Sequence, residues 1–159
     1  MKKFLILLPL IITISCASVP SQEQMKSKTE NYTLPAKIED KNALVYIARP
    51  SKFGGLISFN VFLDDKESGS EMGRTMGGQY IYFFVTPGKH KILSKGENTA
   101  EIEINAEAGK AIFIKQNPTL GFIMTRNNLQ FIDELEAKYH IKNCTRGSSI
   151  IRKKKVDSK

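Results

Sequence analysis

The side chains able to do chemistry are few and far apart: His90 and His140, Cys16 and Cys144, and the adjacent acids Asp64 and Asp65. A zinc site needs three or four closely spaced ligands, and the chain has neither an H-E-x-x-H pattern nor a Cys-x-x-Cys pair. His90 follows a Pro-Gly turn, where it packs or faces water, and His140 ends a short helical pattern, where a cation suits the helix dipole. Asp64, Asp65 and Glu67 could offer carboxylate oxygens to Ca²⁺, but the EF-hand spacing is missing and a solvated turn is the simpler reading. The glycine pairs at 54–55 and 77–78 lack the P-loop lysine and the G-x-G-x-x-G spacing, and no G-x-S-x-G elbow is present. Tyr80, Tyr82 and Phe84 alternate along QYIYFFV, with Tyr46 nearby in pattern. Such a stripe could stack on a sugar or peptide, but aromatics at period two belong first to a core. No catalytic residue, metal or cofactor is therefore assigned, and the chain reads as a non-enzyme.

The residue with the clearest chemical assignment is Cys16. Lys2 and Lys3 precede an apolar run over residues 4–14, too short for the ~20 residues of a membrane span and of the length of a secretory signal. The run closes on Thr13, Ile14, Ser15 and Cys16, which resembles a bacterial lipobox. That resemblance implies removal of residues 1–15, a thioether-linked diacylglycerol on Cys16 and an acylated amine there. Several acyl chains on one residue anchor stably where a single chain would not. Ala17 stands where inner-membrane lipoproteins usually carry Asp, which implies the outer membrane in an organism that has one. The alternative is ordinary cleavage after Ala17, since Ser15 and Ala17 also satisfy the small-x-small rule. With Cys16 lipidated, Cys144 has no partner for an internal disulfide and reads as a small buried residue, or else as a reactive or intermolecular thiol.

The formal charge of +8 raises nucleic acid as a partner, and its distribution argues against it. Lys2 and Lys3 carry two of the eight charges and residues 146–159 a net five, leaving the body close to neutral. Arg152, Lys153, Lys154 and Lys155 are the dense part of this tail, and their expected contact is an anionic surface such as acidic lipid or cell-wall polymer. Other envelope proteins are the remaining candidate partners.

The elements that must position these groups are mostly strands. Residues 16–42 are polar, with two prolines and little periodicity, and read as a lipidated N-terminus and flexible tether. From residue 43 short β-type runs recur between turn residues: 43–49, 57–64, 79–85, 88–95, 99–105, 110–116, 120–126 and 128–132. In TAEIEIN the alternation sends Ile102 and Ile104 inward and Glu101 and Glu103 to water. Residues 133–141 place acids first and basics last, as a short helix does. The expected fold is all-β: a sandwich of about seven to eight short, mostly antiparallel strands over 43–144 with one short C-terminal helix, then a basic disordered tail over 145–159.

ALVYIARP, FNVFLDD, the glycine pair before an aromatic strand, TPGKHKI, EAGK and NNLQFIDELEAKYHIKNC together resemble an uncharacterised family of bacterial envelope lipoproteins over residues 43–144. Asp64 and Asp65 followed by Pro87, Gly88, Lys89 and His90 also look like a PEGA-type surface module, though Asp65 replaces its usual glycine and the loop over 66–78 is longer. The resemblance implies a non-catalytic, lipid-anchored extracytoplasmic domain. Two other readings stay open: a secreted, unanchored protein that binds an anionic surface through its tail, and an envelope enzyme with a loop-assembled site.

Overall fold

ALVYIA has no charged or strongly polar side chain, so a strand made from it must be covered on both faces. The computed structural model describes residues 20–150, and in it strand β1 (Ala43–Arg49) is buried at every position. It is the middle of a five-stranded sheet. The further strands are β2 (Phe59–Leu63), β3 (Glu71–Thr75), β4 (Gln79–Val85), β5 (Gly88–Lys95), β6 (Thr99–Ala106), β7 (Ala111–Leu120), β8 (Thr125–Phe131), β9 (Thr145–Arg146) and β10 (Ser148–Ser149). One sheet has the order β8-β7-β1-β4-β9 and the other β10-β3-β2-β5-β6. Pairing is antiparallel except for β1 with β7 and β4 with β9. The all-β sandwich expected from the sequence is the architecture found.

Alternation along β1 and β4 divides the apolar residues between two cores. Val45, Ile47, Ile81, Phe83 and Val85 face the second sheet and meet Val61, Ile92 and Ile104 there. Ile104 is buried while Glu101 and Glu103 are exposed, so the wet face of β6 is the one its sequence marks. Leu44, Tyr46, Tyr80 and Phe113 point the other way, against helix α2 (Glu134–Lys142) and the segment before β1. The sandwich thus carries a third layer over one sheet.

That layer corrects the reading of residues 16–42 as a flexible tether, for residues 20–42 are folded. Helix α1 (Gln22–Thr29) starts at Ser21, whose hydroxyl caps the Gln24 N–H while the Gln24 side chain returns to the Ser21 N–H. The helix has almost no apolar stripe, which hid it from a periodicity reading. After it Tyr32, Leu34 and Ala36 pack on the Tyr46 cluster, and Tyr46 Oη accepts the Ala36 N–H at 2.9 Å. Lys142 Nζ donates to the Lys28 carbonyl at 2.6 Å, joining the two helices.

Three strand boundaries also differ. The long loop expected over 66–78 contains β3, whose EMGRT sequence has no alternation to betray it. A Cβ on Gly73 would lie 2.3 Å from the Ser148 carbonyl oxygen, so only glycine lets β10 approach. Next, β7 runs on through Pro118 to Leu120, and one strand, β8, replaces the two expected over 120–126 and 128–132. Pro118 is tolerated because it lies beyond the last β1–β7 pair, Ala48 with Lys115. Finally, the tail expected to be disordered from residue 145 is ordered as β9 and β10, so the domain reaches at least residue 150.

Candidate functional site

Cys16 and the basic residues Arg152, Lys153, Lys154 and Lys155 lie outside the described residues. The other residues singled out above fall at two ends of the sandwich and on its covered face.

At one end Asp64 turns the chain with φ 68°, a left-handed conformation that Asp adopts more readily than most side chains. Its Oδ1 accepts the Lys91 N–H at 2.9 Å and its Oδ2 lies 2.9 Å from His90 Nδ1. His90 Nε2 sits 2.9 Å from the Thr86 carbonyl. Both ring nitrogens thus lie within hydrogen-bond reach of an oxygen of the fold. The pair closes the end of β2 onto β5, beside an open cleft of about 470 Å³ lined with Lys89, Lys91, Glu103 and Asn105. That lining holds no hydroxyl or thiol nucleophile, and His90 has no ring nitrogen left over for a substrate. Asp65 Oδ1 accepts the Glu67 N–H, an Asx turn. Among the described residues no three His, Cys, Asp or Glu side chains converge as metal ligands.

The Tyr80, Tyr82 and Phe84 stripe is core. Tyr46 lies 5.5 Å from Tyr82 and stacks at 5.7 Å on Phe113, and the Arg146 guanidinium covers the Tyr82 ring. Burial pushes the Tyr46 hydroxyl up to about 12 and the Cys144 thiol up to about 11, so neither is an ionised nucleophile at neutral pH. His140 pairs with Glu136, which also takes Lys115 Nζ. Burial holds the His140 imidazole below its usual 6.5, with Glu136 offsetting this only in part. An unfolded chain therefore binds this proton first, and the stability tied to neutral His140 is present above about 6.5 and lost as pH falls below it. Denaturation midpoints measured from pH 8 to 5 should decline, and His140→Gln should flatten the decline.

The opposite end holds what the sequence reading missed. Arg49 closes β1 fully buried, where only an Arg-Pro pair at the end of an apolar strand hints at it. Its guanidinium donates to the carbonyls of Ile57, Gly54 and Phe53 at 2.6, 2.8 and 3.2 Å, and stacks 4.0 Å from the Phe59 ring. Beside it a buried polar chain crosses the sandwich: Thr75 Oγ1 donates to Gln116 Oε1, and Gln116 Nε2 donates to Ser94 Oγ at 2.6 Å. At the same end the β7–β8 turn is tied to the β5–β6 turn by one carboxylate. Glu97 accepts the N–H groups of Phe122, Ile123 and Met124 at 3.0, 2.8 and 2.6 Å. Those three bonds, the Met124 one foremost, hold the Glu97 carboxyl below the usual range.

Residues 39–128, more than half of the chain, match the model of a family described as protein of unknown function, DUF2846. The match covers β1 to most of β8 and leaves out both helices. An uncharacterized protein of Haemophilus influenzae is 28% identical over 130 residues, which is 80% of this chain and 73% of that protein. With β1, the buried Arg49 and the Glu97-tied turn all inside the matched span, the chain belongs to the DUF2846 family.

Proposed function

We propose that this chain is a lipid-anchored protein of the bacterial cell envelope with a non-catalytic binding or structural role. The observation that carries the reading is the lysine-led apolar run over residues 4–14 that stops at Cys16. The fold adds support: Ser21 already caps α1, so only residues 17–20 separate the anchor from the domain. The domain is then held against its membrane, outer in a two-membrane cell, instead of swinging on a long tether. The non-catalytic part is supported by the Asp64–His90 pair, whose polar atoms are engaged within the fold. The likeness to a PEGA-type module is supported by the β2–β5 pairing, which brings Asp64 to His90. In this reading the basic tail contacts an anionic surface, acidic lipid or cell-wall polymer.

Intact mass of the protein purified from membranes should give an N-terminal Cys16 with its acyl chains. Cys16→Ser should block maturation or release the protein from carbonate-washed membranes. An unmodified chain starting at Ser18 would overturn the anchor.

A further inference from the structure

The end of the sandwich that carries Arg49 and Glu97 has an unusual surface. Leu56 is 90% exposed, and at the end of β7 and in the turn after it Leu120, Phe122 and Ile123 are 82%, 97% and 85% exposed. Phe53 and Met124 add two half-exposed side chains at the same end, where Gly54 lies against Thr125. Single exposed apolar residues are ordinary, but six on two adjacent loops form a patch that water does not favour. The turn itself, LGFIM, offers no polar side chain.

Its backbone is treated differently from that of a wet turn. An exposed turn leaves its N–H groups to water, whereas here three successive ones are taken by the carboxylate of Glu97, at the surface beside the turn. A segment entering hydrocarbon must have its backbone polar groups satisfied by the protein, because lipid cannot do it. Exposed Lys52, Lys95 and Arg126 stand around the same end, with long stems and cationic heads suited to lipid phosphates.

The first described residue bears on the direction. Pro20 lines a surface cavity together with Pro50, just past the end of β1, Asn117, late in β7, and His140 of α2. Both strands run toward the apolar end, since β1 and β7 are parallel. Cys16 precedes Pro20 by four residues, a stretch that spans at most ~14 Å. A lipid on Cys16 is therefore close enough to this end for both to reach one bilayer. A protein partner fits less well, because the LGFIM turn itself has no polar side chain for it to recognise.

We propose that the apolar end formed by Leu56, Leu120, Phe122 and Ile123 inserts into the lipid–water interface, so that the domain stands on the membrane by a second, non-covalent contact. The inference rests on the lipid-anchor reading for its orientation, and the two can fail separately.

The chain has no tryptophan, so Phe122→Trp gives a single indole reporter at the tip, and a separate Glu107→Trp variant gives a control indole at the opposite end. Each full-length protein is purified from membranes, weighed intact, and mixed with phosphatidylethanolamine–phosphatidylglycerol vesicles containing acyl-brominated lipid. Emission from the tip indole should shift to the blue and lose most of its intensity to the bromines, while the control indole keeps the emission of a wet side chain. An acylated protein whose tip indole stays wet, or is quenched no more than the control, overturns the insertion and leaves the anchor standing. A blue-shifted tip indole untouched by bromine means the tip is covered by protein, and overturns it too. An unacylated protein that floats with the vesicles and shows its tip indole quenched supports the insertion while the anchor falls; one that does not float overturns both.

Discussion

Replacing Arg49 with Met should lower the unfolding free energy by about 2–5 kcal/mol, the cost of leaving two buried carbonyls without their donors. Arg49 is 0% exposed and has backbone carbonyls, not a carboxylate, around its guanidinium. Burial lowers its proton affinity, yet a guanidinium stays charged, so the carbonyl dipoles and the Phe59 ring carry the whole compensation. Met keeps most of the stem's volume and strands the carbonyls of Ile57 and Phe53 without donors, at ~1–3 kcal/mol for each one left dry, while the Gly54 carbonyl keeps the Ile57 N–H. The connection between β1 and β2 should loosen with it, since those three carbonyls lie along it. Arg49→Lys keeps the charge but only one donor position, and should fall between. Urea denaturation gives the stability and amide exchange over residues 51–58 gives the loosening. A Met variant within about 1 kcal/mol of the parent would mean water already reaches these carbonyls.

Ile104→Asp should cost a comparable ~3–5 kcal/mol, a large share of the ~5–15 kcal/mol that holds a domain together. Ile104 is 4% exposed and belongs to the apolar core between the sheets, with Val61, Phe83 and Ile92 in the same cluster. Glu103→Lys, one residue away on the wet face, should stay within about 0.5 kcal/mol despite Lys91 opposite it. Equal losses in the two variants, read from the same urea denaturation, would place β6 in another register.

Where the fold could be read from the sequence, a side-chain pattern forced it. ALVYIA has to be covered twice, and the alternation of TAEIEIN has to put one face in water. Each corresponds to one element of the structure, β1 and β6. EMGRT offers no such pattern, and β3 exists because β2 and β10 flank it, with Gly73 making room. α1 is held by its cap and by α2 and not by an apolar stripe, so only Ser21 and Gln24 announced it.

The apolar end was less legible still. Glu97 and the N–H groups of Phe122, Ile123 and Met124 are distant in sequence, and two separate turns must meet before the carboxylate finds them. The exposure of Phe122 is likewise a property of where the turn ends up, because Phe113, nine residues earlier on the same strand-rich stretch, is buried. Asp64 and His90 were both noticed as residues, but their contact depends on β2 lying beside β5.

The place of β1 also sets the order in which the molecule can assemble. Tyr46 pairs with Tyr82 on one side and with Phe113 on the other, so the strand that comes first in the chain is completed by one that comes late. Closing so wide a loop costs entropy before any contact repays it, and such topologies fold in milliseconds to seconds where helical bundles take microseconds. Until β7 arrives, an uncharged, β-prone stretch of six residues has an open flank, the kind of segment that pairs with a second chain. Collapse onto β4 protects one edge early; the other waits for the chain's second half, and that interval is when self-association competes with folding.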